Sequence, residues 1–355
     1  MKITTLIAGF VWPLLLSTAF GQTKYFVTRI PGNEAVPVDM NNFGQIVGNY
    51  TAGDGTSHAF LYSCGQFRDL TTTFDTPGDV VGINNREQIT GRYIASDGQP
   101  HTFLQSLITK QITEVGPGTP YGMNDRGDVV GWGYHNQGFV YSNGQQSFIG
   151  PAATRPPSLY YGECINDRGQ IAVGVDSEIS QVYLYSGGTF TNIGSALLSS
   201  WYFTPPRQAN ETVAFAINEH GEIAGISGVD WGTDGGFVYS GGSIRSLVWC
   251  VPGNCEHCLN NPGEVVGTNL GAFYGPDRGS APNNPPPVAF VYKGGQTFDL
   301  NNSIPSNSGI VLTGALAIDD AGIILANGYS TSGSVMGSAA NYLLIPGPFT
   351  FGLMR

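Results

Sequence analysis

Asp39-Met40-Asn41-Asn42-Phe43-Gly44-Gln45-Ile46-Val47-Gly48 is a phrase that the chain keeps repeating. An apolar residue, Asn, two variable residues, Gly and then alternating apolar positions describe a tight turn between two strands. The Asn side chain bonds backbone two residues on, and Gly takes the positive φ that closes the hairpin. We read these Asn residues as turn formers rather than ligand-binding groups. The phrase returns at Ile83-Asn84, Met123-Asn124, Ile165-Asn166, Ile217-Asn218 and Leu259-Asn260, and in worn form at Ile318-Asp319. Successive copies lie 43, 40, 42, 52, 42 and 59 residues apart, the period of a unit built from four short strands.

A second phrase follows the first. It reads Ala59-Phe60-Leu61-Tyr62-Ser63-Cys64-Gly65 and recurs at Gly138-Phe139, Val182-Tyr183, Gly236-Phe237 and Ala289-Phe290. Aromatic, aliphatic, aromatic and then Asn-Gly or Gly-Gly is a strand entering a hairpin whose two turn residues both have positive φ. A fourth strand comes next, as in Gln66 to Leu70. One such meander cannot bury both faces, so neighbours must stack, and four-stranded units stacked radially make an all-β, seven-bladed β-propeller. Six units are complete, whereas the seventh stops after its third strand at Asn341 to Ile345. Tyr25 to Ile30 reads as the missing fourth strand, carried at the other end of the chain and completing the last blade. Such an arrangement leaves no open sheet edge.

Met1 to Thr5 carries one positive charge, Leu6 to Leu16 is apolar, and Ala19-Phe20-Gly21 offers small residues where a signal peptidase reads. The expected organisation is a secretory signal peptide over 1–21, one propeller domain over 22–348 and a tail over 349–355, with the mature protein secreted or periplasmic. No other stretch is apolar for long enough to suggest membrane insertion. Gly 51, Pro 22 and only 12% charged residues suit an exported all-β chain. The net charge of −11 disfavours nucleic acid and anionic membranes as partners.

Five cysteines in an exported chain raise the question of disulfides. Cys250 and Cys255 flank a short turn and are the expected bridge, with Cys250–Cys258 the alternative. A metal site using Cys250, Cys255, His257 and Cys258 has irregular spacing. Cys164 and Cys258 occupy a mostly small position on the first strand of their units, and Cys64 sits in an exposed turn.

Strand order makes the two ends of the ring inequivalent. Turns between first and second and between third and fourth strands share one face and are short. The long insertions fall on the other face: Gly150 to Tyr161, Gly194 to Val213, Asp230-Trp231, Asn269 to Val288, Asn301 to Gly314 and Gly328 to Ala340. Loops on a rigid ring are where repeat proteins keep their binding surfaces. Trp201, Tyr202, Arg207, Asp230, Trp231 and Asp277 are the candidate ligand-binding residues. Aromatic rings beside polar groups suit a sugar, and the competing reading is that the rings only pack the loops onto the blades. His58 and His101 begin the third strand of adjacent units and form a candidate metal or acid–base pair, against an ordinary structural role. Asp230, Asp234, Asp277 and Glu178 are carboxylates in or near the loops, but no spacing singles out a pair. No cofactor motif is present, and no specific motif points to Ca²⁺.

The full unit, Asn41-Asn42-Phe43-Gly44-Gln45-Ile46-Val47-Gly48 followed by His58-Ala59-Phe60-Leu61-Tyr62, resembles the HAF-repeat family of bacterial extracellular proteins. The literal triplet occurs once, with His101-Thr102-Phe103 and Val288-Ala289-Phe290 as looser forms. The resemblance covers nearly all of the mature chain and implies export and a repeat fold; the family supplies no reaction to carry over. Glu87 in place of the turn Gly, an extra residue before Gly174 and the worn seventh copy predict irregularity in blades 2, 4 and 7. The favoured function is a non-catalytic module binding a glycan or extracellular protein on the long-loop face. The alternatives are a propeller hydrolase or lyase acting on polysaccharide and a purely structural role.

Overall fold

The computed structural model describes residues 23–347 except 33–34, 71–77, 134–136, 151–158, 177–179, 194–210, 230–231, 249, 254–256, 270–286 and 333–334. The signal segment and the tail therefore lie outside the described residues. The chain forms seven four-stranded antiparallel sheets, each a meander in sequence order. Blades 1 to 6 occupy residues 36–69, 78–117, 119–149, 159–192, 211–248 and 250–299, and blade 7 occupies 310–346. Tyr25–Ile30 is the outermost strand of blade 7, paired antiparallel with Val335–Pro346 from Tyr25↔Pro346 to Ile30↔Asn341. First strands touch at the seams from blade 1 through blade 5 and between blades 7 and 1. The first strand of blade 6 touches the second and third strands of blade 5, and the second and third strands of blade 6 touch the first of blade 7, so the sheets stand around an axis as a seven-bladed β-propeller.

The core lies in the seams between blades. One cluster joins Val47, Ala59 and Leu61 of blade 1 to Val80, Ile83 and Ile89 of blade 2. Another joins Cys164, Ala172 and Val182 of blade 4 to Ala214, Ile217 and Phe237 of blade 5. Within a blade, the repeated Gly and the repeated Phe explain each other. A Cβ on Gly48 would stand 2.7 Å from the Phe60 ring, on Gly91 2.7 Å from Phe103, and on Gly225 2.8 Å from Phe237. The glycine clears the floor on which a fully buried ring lies, and such burial is worth about 1.5–3 kcal/mol per ring.

Turn chemistry follows the sequence. Cys64 and Gly65 have φ of 51° and 79°, Asn143 and Gly144 52° and 79°, the paired positive values that a two-residue hairpin requires. Cys64 is exposed, and Cys164 and Cys258 are fully buried. Cys255 and the side chain of Cys250 lie outside the described residues, and the expected bridge with them.

Of the three expected irregularities, those at Glu87 and before Gly174 are corrected, whereas blade 7 is irregular in register, with added shifts at Leu312/Gly314 and Tyr329/Thr331. Glu87 adopts φ 54° and keeps the turn that Gly makes elsewhere, with its carboxylate accepting a bond from Gln45 Nε2 at 2.7 Å. Blade 4 contains no insertion: Val173 pairs with Gly162 and Tyr183 as Gly48 pairs with Pro37 and Phe60. Val173 can replace the glycine because the ring opposite, Tyr183, is only half-buried. Blade 7 has long strands, Ile310–Ile318, Ile324–Ser332 and Val335–Pro346. The stretch from Gly328 to Ala340 is thus an extended hairpin instead of a loop insertion. Likewise Tyr160 and Tyr161 belong to the first strand of blade 4, Leu159–Ile165.

Candidate functional site

The repeated Asn builds the hub of the ring as well as its own turn. Asn124 Oδ1 accepts from the amides of Arg126 (3.0 Å) and Asp128 (2.9 Å), which is the turn-forming role. Its Nδ2 donates to Asp128 Oδ2 at 2.9 Å and also crosses the seam to the carbonyl oxygen of Asn166 at 3.0 Å. Asn41, Asn84, Asn166, Asn218 and Asn260 each make the same crossing to the carbonyl of the corresponding residue in the next blade, at 2.9–3.1 Å. This inner belt has six links.

A second belt lies one residue on. The amide of Asn42 donates to Asn85 Oδ1, that of Asn85 to Asp125, that of Asp125 to Asp167 and that of Asp167 to Glu219, at 2.7–2.8 Å. Glu219, Asn261 and Asp320 continue it, and the Asp320 amide closes the circle on Asn42 Oδ1 at 3.0 Å. All seven links are present. The position after the repeated Asn is always Asn, Asp or Glu because it must offer a side-chain oxygen to the neighbouring turn. That requirement could have been read from the sequence, since the column is uniform; its meaning needed the third dimension.

Carboxylates in the belt are balanced locally. Burial pushes the Asp167 carboxyl above its usual range, helped by the neighbouring Asp125, while the guanidiniums of Arg126 and Arg86 pull the other way. Arg126 also donates to the Asp167 carbonyl and, at 2.9 Å through Nε, to Asp128. The two sets of short turns do share this face, as when Ser240 Oγ of a hairpin turn donates to Glu222 Oε1 at 2.7 Å.

Between the belts and the axis is a cavity of about 220 Å³, lined by residues of all seven blades with His257 on its wall. His257 Nδ1 meets Asp39 Oδ1 at 2.7 Å, joining blade 6 to blade 1, and Asp39 Oδ2 accepts from the Ile83 amide at 2.9 Å. Asp39 is thus tied on both oxygens. Each first strand outside blade 6 carries a bulge three residues before the repeated Asn or Asp. The strand register skips Val38, Val81, Tyr121, Glu163, Phe215 and Leu316. Bulges re-aim side chains, and His257 holds the same place in blade 6.

Glu163 uses its bulge to cross a seam. Its Oε2 accepts from the Ala214 amide at 2.9 Å, as Asn49 Oδ1 accepts from Val80 at the seam between blades 1 and 2. Gly174 takes the place of Asn49 in blade 4 and leaves the space that the Glu163 carboxyl fills. Desolvation there pushes the carboxyl up to about 8, against the opposing effect of the Ala214 hydrogen bond. A group raised in the folded state favours folding below its unfolded value, and that contribution is lost as pH rises through about 8. Solvent still reaches part of Glu163, so the slope should stay below the single-site limit of about 1.4 kcal/mol per pH unit. Glu163→Gln, with an amide suited to both backbone groups of Ala214, should flatten the fall in urea-denaturation midpoint between pH 5 and 9; an unchanged slope would refute this reading.

The histidine pair is structural in its contacts. His58 Nδ1 meets Asp69 Oδ2 at 3.1 Å and its Nε2 meets Thr56 Oγ1 at 2.9 Å. His101 is held between Glu114 Oε1 at 2.6 Å and Asp97 Oδ2 at 3.2 Å. Burial lowers the affinity of His101 for its proton, but the two carboxylates outweigh it and the group is raised. Tyr50 and Tyr93 flank the two imidazoles at equivalent places. Each ring nitrogen therefore has a local partner, which supports the turn-bracing reading. Among the described residues no three His, Cys, Asp or Glu side chains are grouped as metal ligands. Trp201, Tyr202, Arg207, Asp230, Trp231 and Asp277 all lie outside the described residues, so the structure neither gathers nor separates them. Among the described residues no helix is long and apolar enough to cross a membrane.

No family model and no curated protein matches the chain. In structure it is similar to the β-propeller domain of the Trilobed protease from Pyrococcus furiosus, which has an open velcro topology. The TM-score is 0.52 at 10% identity, over 88% of this chain and 93% of that one. It is also similar to YCF48 bound to D1 peptide, with a TM-score of 0.50 at 10% identity, over 93% and 99%. A third likeness is to the polysaccharide lyase Uly1, with a TM-score of 0.46 at 11% identity, over 91% and 99%. At these identities the first two likenesses establish the propeller fold and nothing beyond it.

Proposed function

We propose that the protein is an exported, non-catalytic binding ring that engages a glycan or an extracellular protein on the face opposite the hydrogen-bonded hub. The observation carrying this reading is the contrast between the ends of the ring. On the hub face, seven like turns spend their polar groups on one another in two belts, which favours rigidity over ligand exchange. At the other end the connections are unlike. One is the single residue Gly118 between Pro117 and Thr119, whereas others run from Asn192 to Glu211 and from Asn269 to Val288. Length variation at one end of a fixed scaffold is what a binding face shows. The likeness of the repeat to the HAF-repeat family and the signal-like first residues support export.

The test is a glycan array and an extracellular-protein panel probed with the mature chain and with the double variant Trp201→Ala, Trp231→Ala. Loss of binding at an unchanged melting temperature is expected. Binding that survives both substitutions removes the aromatic glycan site, and release of products from a polysaccharide would move the protein to the enzymes.

A further inference from the structure

The inner belt lacks its seventh link. At the seam between blades 7 and 1 the donor position is Asp319 instead of Asn, and a carboxylate has no hydrogen to give. Its Oδ1 behaves as in every other blade, accepting from the amides of Ala321 at 2.9 Å and Ile323 at 2.7 Å. Its Oδ2, at the place of the Asn amide nitrogen, is buried with no partner among the described residues, and Asp319 is 1% exposed. The carbonyl awaiting that link is Asn41 O. Like the carbonyls of Asn84 and Asn124, it takes one bond from its own turn, here from Gly44 at 3.0 Å. Those carbonyls take a second bond from the preceding blade's Nδ2. A buried, ionised Oδ2 facing a carbonyl oxygen would be doubly unfavourable, by desolvation and by repulsion.

We propose that Asp319 is held as a neutral carboxylic acid whose Oδ2–H is donated to the carbonyl oxygen of Asn41, so that a proton completes the belt and the seam between blades 7 and 1 is a pH-sensitive latch. The surroundings favour the neutral form. Asp320 on the same turn is a like charge, and from blade 6 Glu264 reaches the same turn, with Lys293 paired to it. Blade 1 presents the amides of Asn41 and Gln45, and the hub adds Asp39, whose charge is engaged by His257. Tyr25, on the strand that completes blade 7, feels Glu264 and is raised by burial and that charge. Burial, more than any of these, raises the Asp319 carboxyl, against the amides of Ile323, Ala321 and Gly322. With the folded form raised, the latch is present at low pH and is lost as pH rises through the folded value. Opening would begin at the one seam where the ends of the chain meet.

The test is hydrogen exchange of the Asn41, Gly44 and Ala321 amides against pH, on the mature Glu163→Gln protein and the same protein with Asp319→Asn. The Glu163→Gln background removes the carboxyl raised to about 8. With Asp319 present, opening at this seam should become about tenfold more frequent across the transition, relative to the seam between blades 5 and 6; with Asn it should stay flat and protected. The Glu163→Gln protein should show a protonated-carboxyl infrared band above the ordinary carboxylate range that the added Asp319→Asn removes. Absence of that band, or equal pH dependence with Asp and Asn, would overturn the proposal.

Discussion

A chain lacking Tyr25–Ile30 should lose its cooperative unfolding transition. Tyr25 and Ile30 are 7% and 2% exposed, and burying two such side chains is worth about 1.5–3 kcal/mol each. The strand also ties down its surroundings: the Tyr25 amide donates to Ser303 O at 2.9 Å and the Gly347 amide to Lys24 O at 2.7 Å. Ile30 packs with Met40, Phe60 and Ala317, so the deletion would open the very seam that lacks an amide link. The sum, on the order of 5 kcal/mol or more, approaches the whole stability of an ordinary domain. The exposed edge of Val335–Pro346 would then invite pairing between molecules. Thermal and urea unfolding followed by size-exclusion chromatography would measure both effects. An unchanged midpoint with a monomeric profile would show that the ring does not depend on its first strand.

How far this architecture could be read in advance depends on the range of each interaction. The turns were legible because Asn with Gly, and Gly with Gly, encode their own backbone dihedrals locally. The pairing of Gly91 with Phe103 was half legible: both columns repeat, but only the strand register within the blade shows that one exists for the other. The inner belt was not legible, because the Asn that a turn needs is the same Asn that a seam needs, and the local demand hides the longer one. Asp39 with His257 was out of reach altogether, being 218 residues apart in the chain. Glu163 misled in another way. Val173 next to Gly174 looks like an insertion, whereas it marks a seam bond moved from a second-strand amide to a first-strand carboxyl. The worn look of blade 7 reflected changed chemistry at Asp319 and Ile323 instead of lost strands, since its three strands are long. For the long-loop face the sequence had composition and length to offer, and no repeat against which a functional departure could stand out.

Asn124→Ala should be among the most destabilising single substitutions outside the apolar core, at about 3–5 kcal/mol. It removes two acceptances and two donations, strands the amides of Arg126 and Asp128, and leaves the carbonyl of Asn166 with only the bond from the Gly169 amide of its own turn. Asn124→Asp separates the two roles of the side chain. The acceptances survive, but the new carboxylate would lie against Asp128 Oδ2, which Asn124 now touches at 2.9 Å. Burial would raise the Asp128 carboxyl, but bonds from Ser142, Asn124 and Arg126 together hold it below its usual range. Asn124→Asp should therefore be as damaging as Asn124→Ala at neutral pH and should recover as pH falls and the new acid takes a proton. The same change of side chain is tolerated in blade 7 because the residue four on from Asp319 is Ile323, so no second carboxylate meets it there. Denaturation midpoints of the two Asn124 variants at pH 5 and pH 8 decide the point. Equal losses at both pH values for Asn124→Asp would mean that the seam bond, and the charge that breaks it, contribute nothing to the hub.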